Sequence, residues 1–257
     1  MRLSLLPVYK RELRAYFQNP GVYVTLGFLI WLTGLLTYQS VRIFTQQSMN
    51  QMRYQYGGFS LNYNEWVIEG TFHLLAFLFI FAVPLLTMRL FAEEKKSGTF
   101  ELLATCPVTD WGLVLGKYLA AVTAIVAFLV ISLCVPITLS FVGETEWPTV
   151  ATGYLALLSL GMAYAAFGVF ASTLTENQII AGVVTFCGLL AFFVIDYIGV
   201  GSMGGLGRVL DALSVRGHSE NLIRGRILTE DVAYFIAFAA GFLFLANYVL
   251  ESRRWRV

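Results

Sequence analysis

The stretch from Gly70 to Met88, GTFHLLAFLFIFAVPLLTM, runs without a single Asp, Glu, Lys or Arg. A helix needs about 20 predominantly apolar residues to cross roughly 30 Å of hydrocarbon, and this run has that length and composition. It does not alternate apolar with polar residues and is far longer than the ~10-residue strand of a membrane barrel. With no water in the bilayer to satisfy backbone N–H and C=O groups, a helix is the solution left to it. Comparable uncharged runs extend from Pro20 to Val41, Tyr118 to Gly143, Trp147 to Thr175, Asn177 to Ile195 and Val232 to Leu250. The expected fold is an all-α membrane protein with six transmembrane helices.

Composition agrees. Of 257 residues, 58% are hydrophobic and 13% charged, with a mean hydropathy of +0.71, against about 25% charged in soluble domains. Such a chain cannot clothe a water-facing surface. A formal net charge of +1 gives no basic signal for nucleic acid, and none is expected as a partner. The run from Pro20 is too long for the apolar core of a signal peptide and is expected to be retained. An even number of spans puts both termini on one side. Arg2, Lys10, Arg11, Arg14, Arg89, Lys95, Lys96, Lys117, Arg253, Arg254 and Arg256 share that side, whereas Arg42, Arg53, Arg208, Arg216, Arg224 and Arg226 face the other. The excess marks the first side as cytoplasmic.

Residues 1–19 place Leu5, Tyr9, Leu13, Tyr16 and Phe17 at helical spacing with Lys10, Arg11 and Arg14 between them. An amphipathic helix in the cytoplasmic interface and a simple basic anchor both fit. Asn19, Pro20 and Gly21 then turn the chain into the bilayer. The segment from Arg42 to Glu69 reads as an outer loop. Residues 196–231 form a second, Gly-rich outer segment, in which Val209, Leu210 and Leu213 suggest short helices dipping into the leaflet. Gly161, Ala165, Gly168 and Ser172 recur every three or four residues and align small side chains on one helix face. That stripe suits a subunit or gate interface, or packing within one subunit. Pro84 and Pro136 each remove a helix hydrogen bond and are expected to kink their spans.

The remaining segment, 89–117, reads RLFAEEKKSGTFELLATCPVTDWGLVLGK and is longer than a connector requires. Its core, Glu93, Glu94, Ser97, Gly98, Thr99, Phe100, Glu101, Leu102 and Leu103, fits a short amphipathic helix that docks on a cytoplasmic partner, or equally a solvated hairpin. No enzyme is legible. The nearest approach to a phosphate loop, GLVLGKY from Gly112 to Tyr118, is one residue short and carries Tyr where the Mg²⁺-binding hydroxyl belongs. His73 and His218 stand far apart, outside any zinc-protease spacing, and neither pairs with a buried Ser as a hydrolase base. Cys106, Cys134 and Cys187 are scattered, so no metal site or disulfide is expected. Ionisable residues within the spans are nearly absent, which argues against an ion-coupled secondary transporter, the principal alternative.

The segment EEKKSGTFELLATCPVTDWGLVLGKYLA, Glu93 to Ala120, resembles the signature region of the permease subunits of type-two ABC exporters. The match rests on Glu93, Glu94, Ser97, Gly98, Thr99, Glu101, Leu102, Pro107, Gly116 and Lys117. Within that family the chain looks most like the gliding-motility (GldF-like) branch, through HSENLIRGRI and TEDVAYF, with NosY-like permeases second. The resemblance implies a non-catalytic transmembrane subunit in the inner membrane of a bacterium, binding no cofactor itself. It also implies a second permease copy, separate ATPase chains that use ATP and Mg, and in gliding-type systems an extracytoplasmic auxiliary subunit. Such a machine exports a substrate or transmits force. Glu93 to Leu103 would be its coupling element.

Overall fold

The computed structural model describes residues 5–54, 62–99, 109–199 and 214–254. Every regular element among them is helical: α1 (Leu5–Gln18), α2 (Pro20–Tyr54), a π-helical turn (Asn64–Glu69), α3 (Gly70–Thr87), α4 (Arg89–Lys96), α5 (Asp110–Ser132), α6 (Cys134–Leu139), α7 (Trp147–Leu174), α8 (Gln178–Gly199), α9 (Val215–Ile223) and α10 (Thr229–Arg254). Six helical stretches are long and apolar enough to cross a membrane.

The span boundaries differ most from the sequence reading where helices outrun the apolar runs, at the end of α2, at the start of span three and at both ends of α10. Charge ends a membrane-buried segment, but it does not end a helix. The segment from Arg42 to Glu69 is therefore not simply a loop, because α2 continues to Tyr54 and a π-helical turn precedes α3. Segment 89–117 likewise contains α4 and the first turns of α5. Span three starts at Asp110 rather than Tyr118, where Thr109 caps the helix by accepting from the Gly112 N–H. It closes earlier too, with α6 ending at Leu139. The Gly-rich stretch and the apolar residues Val209, Leu210 and Leu213 lie outside the described residues, as do Phe100 to Leu103.

α7 is the central post. It packs against α10, α3, α5, α8, α9 and α4, and two thirds of its most apolar window is buried, against 17% for those of α2 and α8. The small-residue stripe explains how neighbours approach so closely. A Cβ at Gly161 would stand 2.8 Å from Ile125 Cγ2, and one at Gly168 would stand 2.2 Å from Thr87 Oγ1. Ala165 and Ser172 are wholly buried. Gly153 extends the same face, against the Phe72 ring.

Pro84 sits inside α3, and the helix is interrupted one turn later at Met88. Ser172, from α7, occupies the break. Its hydroxyl oxygen accepts from Phe91 N (3.0 Å) and Ala92 N (3.2 Å), and its proton goes to Met88 O at 3.1 Å. One side chain thus satisfies backbone groups that open where one helix stops and the next begins. Replacing Ser172 by Ala strands those groups in a buried site. It is expected to cost about 1–3 kcal/mol, read as a lower unfolding midpoint of the detergent-solubilised chain. An unchanged midpoint would show that the break is satisfied otherwise. Pro136 coincides with a second interruption, at Leu133 between α5 and α6.

At the end of the bundle away from α1, His218 lies in α9. Its Nδ1 donates to Asp231 Oδ1 (2.7 Å), its ring stacks on Tyr234 at 4.2 Å, and Asn221 Nδ2 donates to Asp231 Oδ2. These contacts fasten α9 to the start of α10.

Candidate coupling site

α1 lies along α5. The approach is close because residue 116 is Gly: a Cβ there would meet Val8 Cγ1 at 2.8 Å and the Tyr9 backbone N at 3.4 Å. Polar pins fix the position. Tyr9 Oη and Thr123 Oγ1 are 3.0 Å apart, and the Tyr16 hydroxyl donates to Leu86 O at 2.7 Å. The Arg89 guanidinium sits 5.2 Å from the Tyr16 ring centroid, a cation–π contact.

Between these pins, Lys117 emerges from α5 with 1% of its side chain exposed. Its ammonium donates to Glu12 Oε1 at 3.0 Å and to Leu90 O, and lies 2.9 Å from Glu94 Oε2. Phe91 covers it, with the ring centroid 5.0 Å away. Arg11 pairs with both Glu12 and Glu94. Two cations therefore meet two carboxylates where α1, α4 and α5 converge. A buried ammonium is tolerable only when paired and hydrogen-bonded, and both conditions hold. Lys117, set outside span three by the sequence reading, lies at the end of the second turn of α5.

Burial alone would raise the Glu12 pKa, but Lys117 and Arg11 more than offset it and hold the carboxyl below its ordinary 4.5. A carboxylate with a depressed folded-state pKa contributes stability that is complete above the unfolded value and is lost as pH falls through the folded one. α1 is therefore expected to stay docked at neutral pH and to loosen below about pH 4. Hydrogen exchange over residues 5–18 reads this directly. Protection over residues 5–18 that is equal in the unaltered chain and in Glu12→Gln at pH 7 would remove Glu12 from the clamp.

α4 has two sides. Leu90, Phe91 and Ala92 are buried and Glu94 faces the cluster, whereas Glu93, Lys96, Ser97, Gly98 and Thr99 are exposed. The helix stops because Gly98 adopts a φ of 70°, a left-handed conformation that suits glycine at a helix end. Ser97 N bonds back to Glu93 O at 3.0 Å. The Ser97 and Thr99 hydroxyls pair at 2.8 Å, giving the Ser-Gly-Thr stretch a compact exposed lip. A cleft of about 640 Å³, whose walls include Arg11, Glu12, Tyr16, Glu93 and Thr99, opens between α1 and α4. Lys95 bonds to Thr173 O at the end of α7.

The nine sequence-derived coupling residues thus divide. Glu93, Ser97, Gly98 and Thr99 form the lip, Glu94 belongs to the buried clamp, and Phe100, Glu101, Leu102 and Leu103 lie outside the described residues. Arg11, Glu12 and Lys117 escaped the sequence reading as a unit because they come from distant parts of the chain.

The family model described as ABC-2 family transporter protein matches residues 6–211. The chain belongs to the ABC-2 family. The match covers α1 to α8, and so the clamp and lip of this ABC-2 permease. The chain is a multi-pass membrane transport subunit by family and by its six spans. No curated protein matches it.

Proposed function

We propose that this ABC-2 permease is the membrane half of an ATP-driven exporter. Two copies form the pathway, and separate cytoplasmic ATPase chains bind ATP and Mg and dock on the lip around Glu93 to Thr99 and onward to Leu103. One observation carries the reading: the exposed lip, made of Glu93 and of Ser97 to Thr99 just past the end of α4, is contiguous with Glu94 of the buried clamp. A push on Glu93, Ser97 and Thr99 is passed by Glu94 through Lys117 and Arg11 into α5 and α1 without crossing a flexible link. The distribution of basic residues supports placing this end, with both termini, in the cytoplasm, as in the inner membrane of a bacterium. The low burial of α2 and α8 supports a second copy covering them, because a two-fold pair encloses a path that one bundle does not. HSENLIRGRI and TEDVAYF, which build the α9–α10 junction, support a gliding-motility-type branch with an extracytoplasmic auxiliary subunit, in which the output is force or displaced surface material.

Affinity purification of the tagged chain from native membranes tests the reading. ATP hydrolysis is expected to co-elute, and Glu93→Lys to reduce it about tenfold, equivalent to ~1.4 kcal/mol of docking energy, while membrane insertion is unchanged. ATP-dependent export by the purified permease alone in liposomes would overturn the proposal. So would full co-elution from the Glu93→Lys chain.

A further inference from the structure

α1 meets two spans at one level. It crosses α5 at Gly116, whose backbone lies against Val8 and Tyr9, and the uncharged run of span three begins just beyond, at Tyr118. The other end of α1, Gln18, is followed after Asn19 by Pro20, where the uncharged run of α2 begins. Both meetings lie where a span enters hydrocarbon, so α1 runs along the bilayer boundary. The order of side chains around it suits that position. At about 100° per residue, Leu13, Leu6 and Phe17 follow the buried Tyr16, and Lys10 and Arg14 come next. Leu6 is 64% exposed and Phe17 51%. The Phe17 ring centroid is 6.5 Å from that of Tyr23, whose hydroxyl donates to Phe17 O at 2.8 Å. Tyr23 and Val24 are themselves exposed on α2, so one apolar surface continues from α1 onto a span.

Charge completes the pattern. Lys10 and Arg14 are exposed beside that surface and form no ion pair among the described residues. Arg11 is taken by Glu12 and Glu94, and Glu12, the only acid in α1, is turned into the clamp. The groove along Pro7, Lys10, Arg14 and Gln18 has no acidic residue in its described wall. We propose that this face of α1 docks on the negatively charged lipid headgroups of the leaflet it enters, with Lys10 and Arg14 meeting lipid phosphates and Leu6 and Phe17 inserting among the acyl chains. An interfacial helix binds through apolar area together with attraction to anionic lipid, and both are present here on adjoining strips. The two unpaired cations select a net-anionic headgroup over a zwitterion. Continuity with the exposed side of α2 selects a membrane over a soluble anion or an acidic protein surface. Lipid so bound holds α1 level against the clamp. The proposal rests on the six spans and stands whether or not an ATPase docks on the lip.

The test uses the full chain, delipidated and then titrated in detergent micelles that carry phosphatidylglycerol or phosphatidylcholine. The lipid that stays with the washed chain is extracted and quantified, at low ionic strength and in 1 M salt. The unaltered chain is expected to retain phosphatidylglycerol in preference, and to lose that preference in 1 M salt, where the screening length falls to about 3 Å. The double variant Lys10→Gln, Arg14→Gln should weaken phosphatidylglycerol binding about 25-fold, roughly fivefold per charge. Removing two exposed charges at the other end of the bundle, with Arg42→Gln and Arg226→Gln, should leave it unchanged. Equal retention of phosphatidylcholine by the unaltered chain, undiminished binding by the Lys10 and Arg14 variant, or an equal loss in the Arg42 and Arg226 variant would each overturn the proposal. Loss of co-eluting ATP hydrolysis from the Lys10 and Arg14 variant, with lipid binding intact, would assign the strip to a protein partner and overturn it too. The lipid comparison on the unaltered chain decides the matter even if a variant folds poorly.

Discussion

Replacing Lys117 by Met is expected to lower the stability of the folded chain by about 3–5 kcal/mol, the range for removing one partner from a buried ionic group. The volume change is small. The damage is electrostatic, because Glu12 and Glu94 are left facing each other with only Arg11, itself half-exposed, to neutralise them. The Leu90 carbonyl also loses its donor. Denaturant unfolding in mixed micelles measures the effect, and the triple variant Lys117→Met, Glu12→Gln, Glu94→Gln separates charge from shape. Neutral amides next to Met remove the repulsion, so the triple variant should recover most of the loss. A triple variant no better than the single one would mean that Lys117 acts through packing alone. Lys117→Arg is not conservative either, because a planar fork cannot replace a compact ammonium among three acceptors.

The second large effect is expected at Gly168. A Cβ there would stand 2.2 Å from Thr87 Oγ1 and 2.8 Å from Thr87 Cβ. Thr87 is wholly buried, and its hydroxyl donates to Val83 O at 2.9 Å. Neither helix can retreat easily, because Ser172, one turn farther along α7, is bonded to the Met88 break. Gly168→Val is expected to cost about 3 kcal/mol, the upper end for an overpacked core, and to lower the yield of folded chain. Gly27 and Gly34 in α2 supply the contrast, since a Cβ at either meets nothing within 4 Å. Alanine at those positions should stabilise the isolated chain by about 0.5–1 kcal/mol through helix propensity. If Gly168→Val and Gly34→Ala shifted the unfolding midpoint alike, the close approach of α3 and α7 would not matter to stability.

What the sequence disclosed and what it hid follow from range. Each span was legible because an apolar run announces itself within about 20 residues, and the small-residue stripe on α7 was legible for the same local reason. The lip was legible as a pattern, through Ser97, Gly98 and Thr99. The clamp was not, because Glu12 lies some eighty to a hundred residues from Glu94 and Lys117 and no local periodicity joins the three. The rule that ends a span at a charge also misplaced Lys117, setting it outside a helix in which it is almost completely buried. The spacing of α1 drew attention to Leu5, Tyr9, Leu13, Tyr16 and Phe17, of which Tyr16 is buried and Phe17 exposed, whereas the buried Val8 was not among them. Which apolar residues turn inward depends on where α5 and α3 lie, which the Gly116 contact and the Tyr9 and Tyr16 hydrogen bonds set. His218 looked isolated because Asp231, its partner, belongs to the next helix.

The length of α2 carries a mechanical consequence. Its 35 residues rise about 52 Å, well beyond a hydrocarbon core of roughly 30 Å. Only Asn19 separates α2 from α1, and Asn19 ties itself to both by hydrogen bonds with Tyr16, Gly21 and Val22. α2 is therefore a mast stepped directly on the clamped helix. If α1 tilts by about ten degrees, the far tip of the mast swings through about 9 Å, while the clamp at its foot moves far less. On that geometry a small tilt at the clamped end of the lever becomes a larger displacement at its far end.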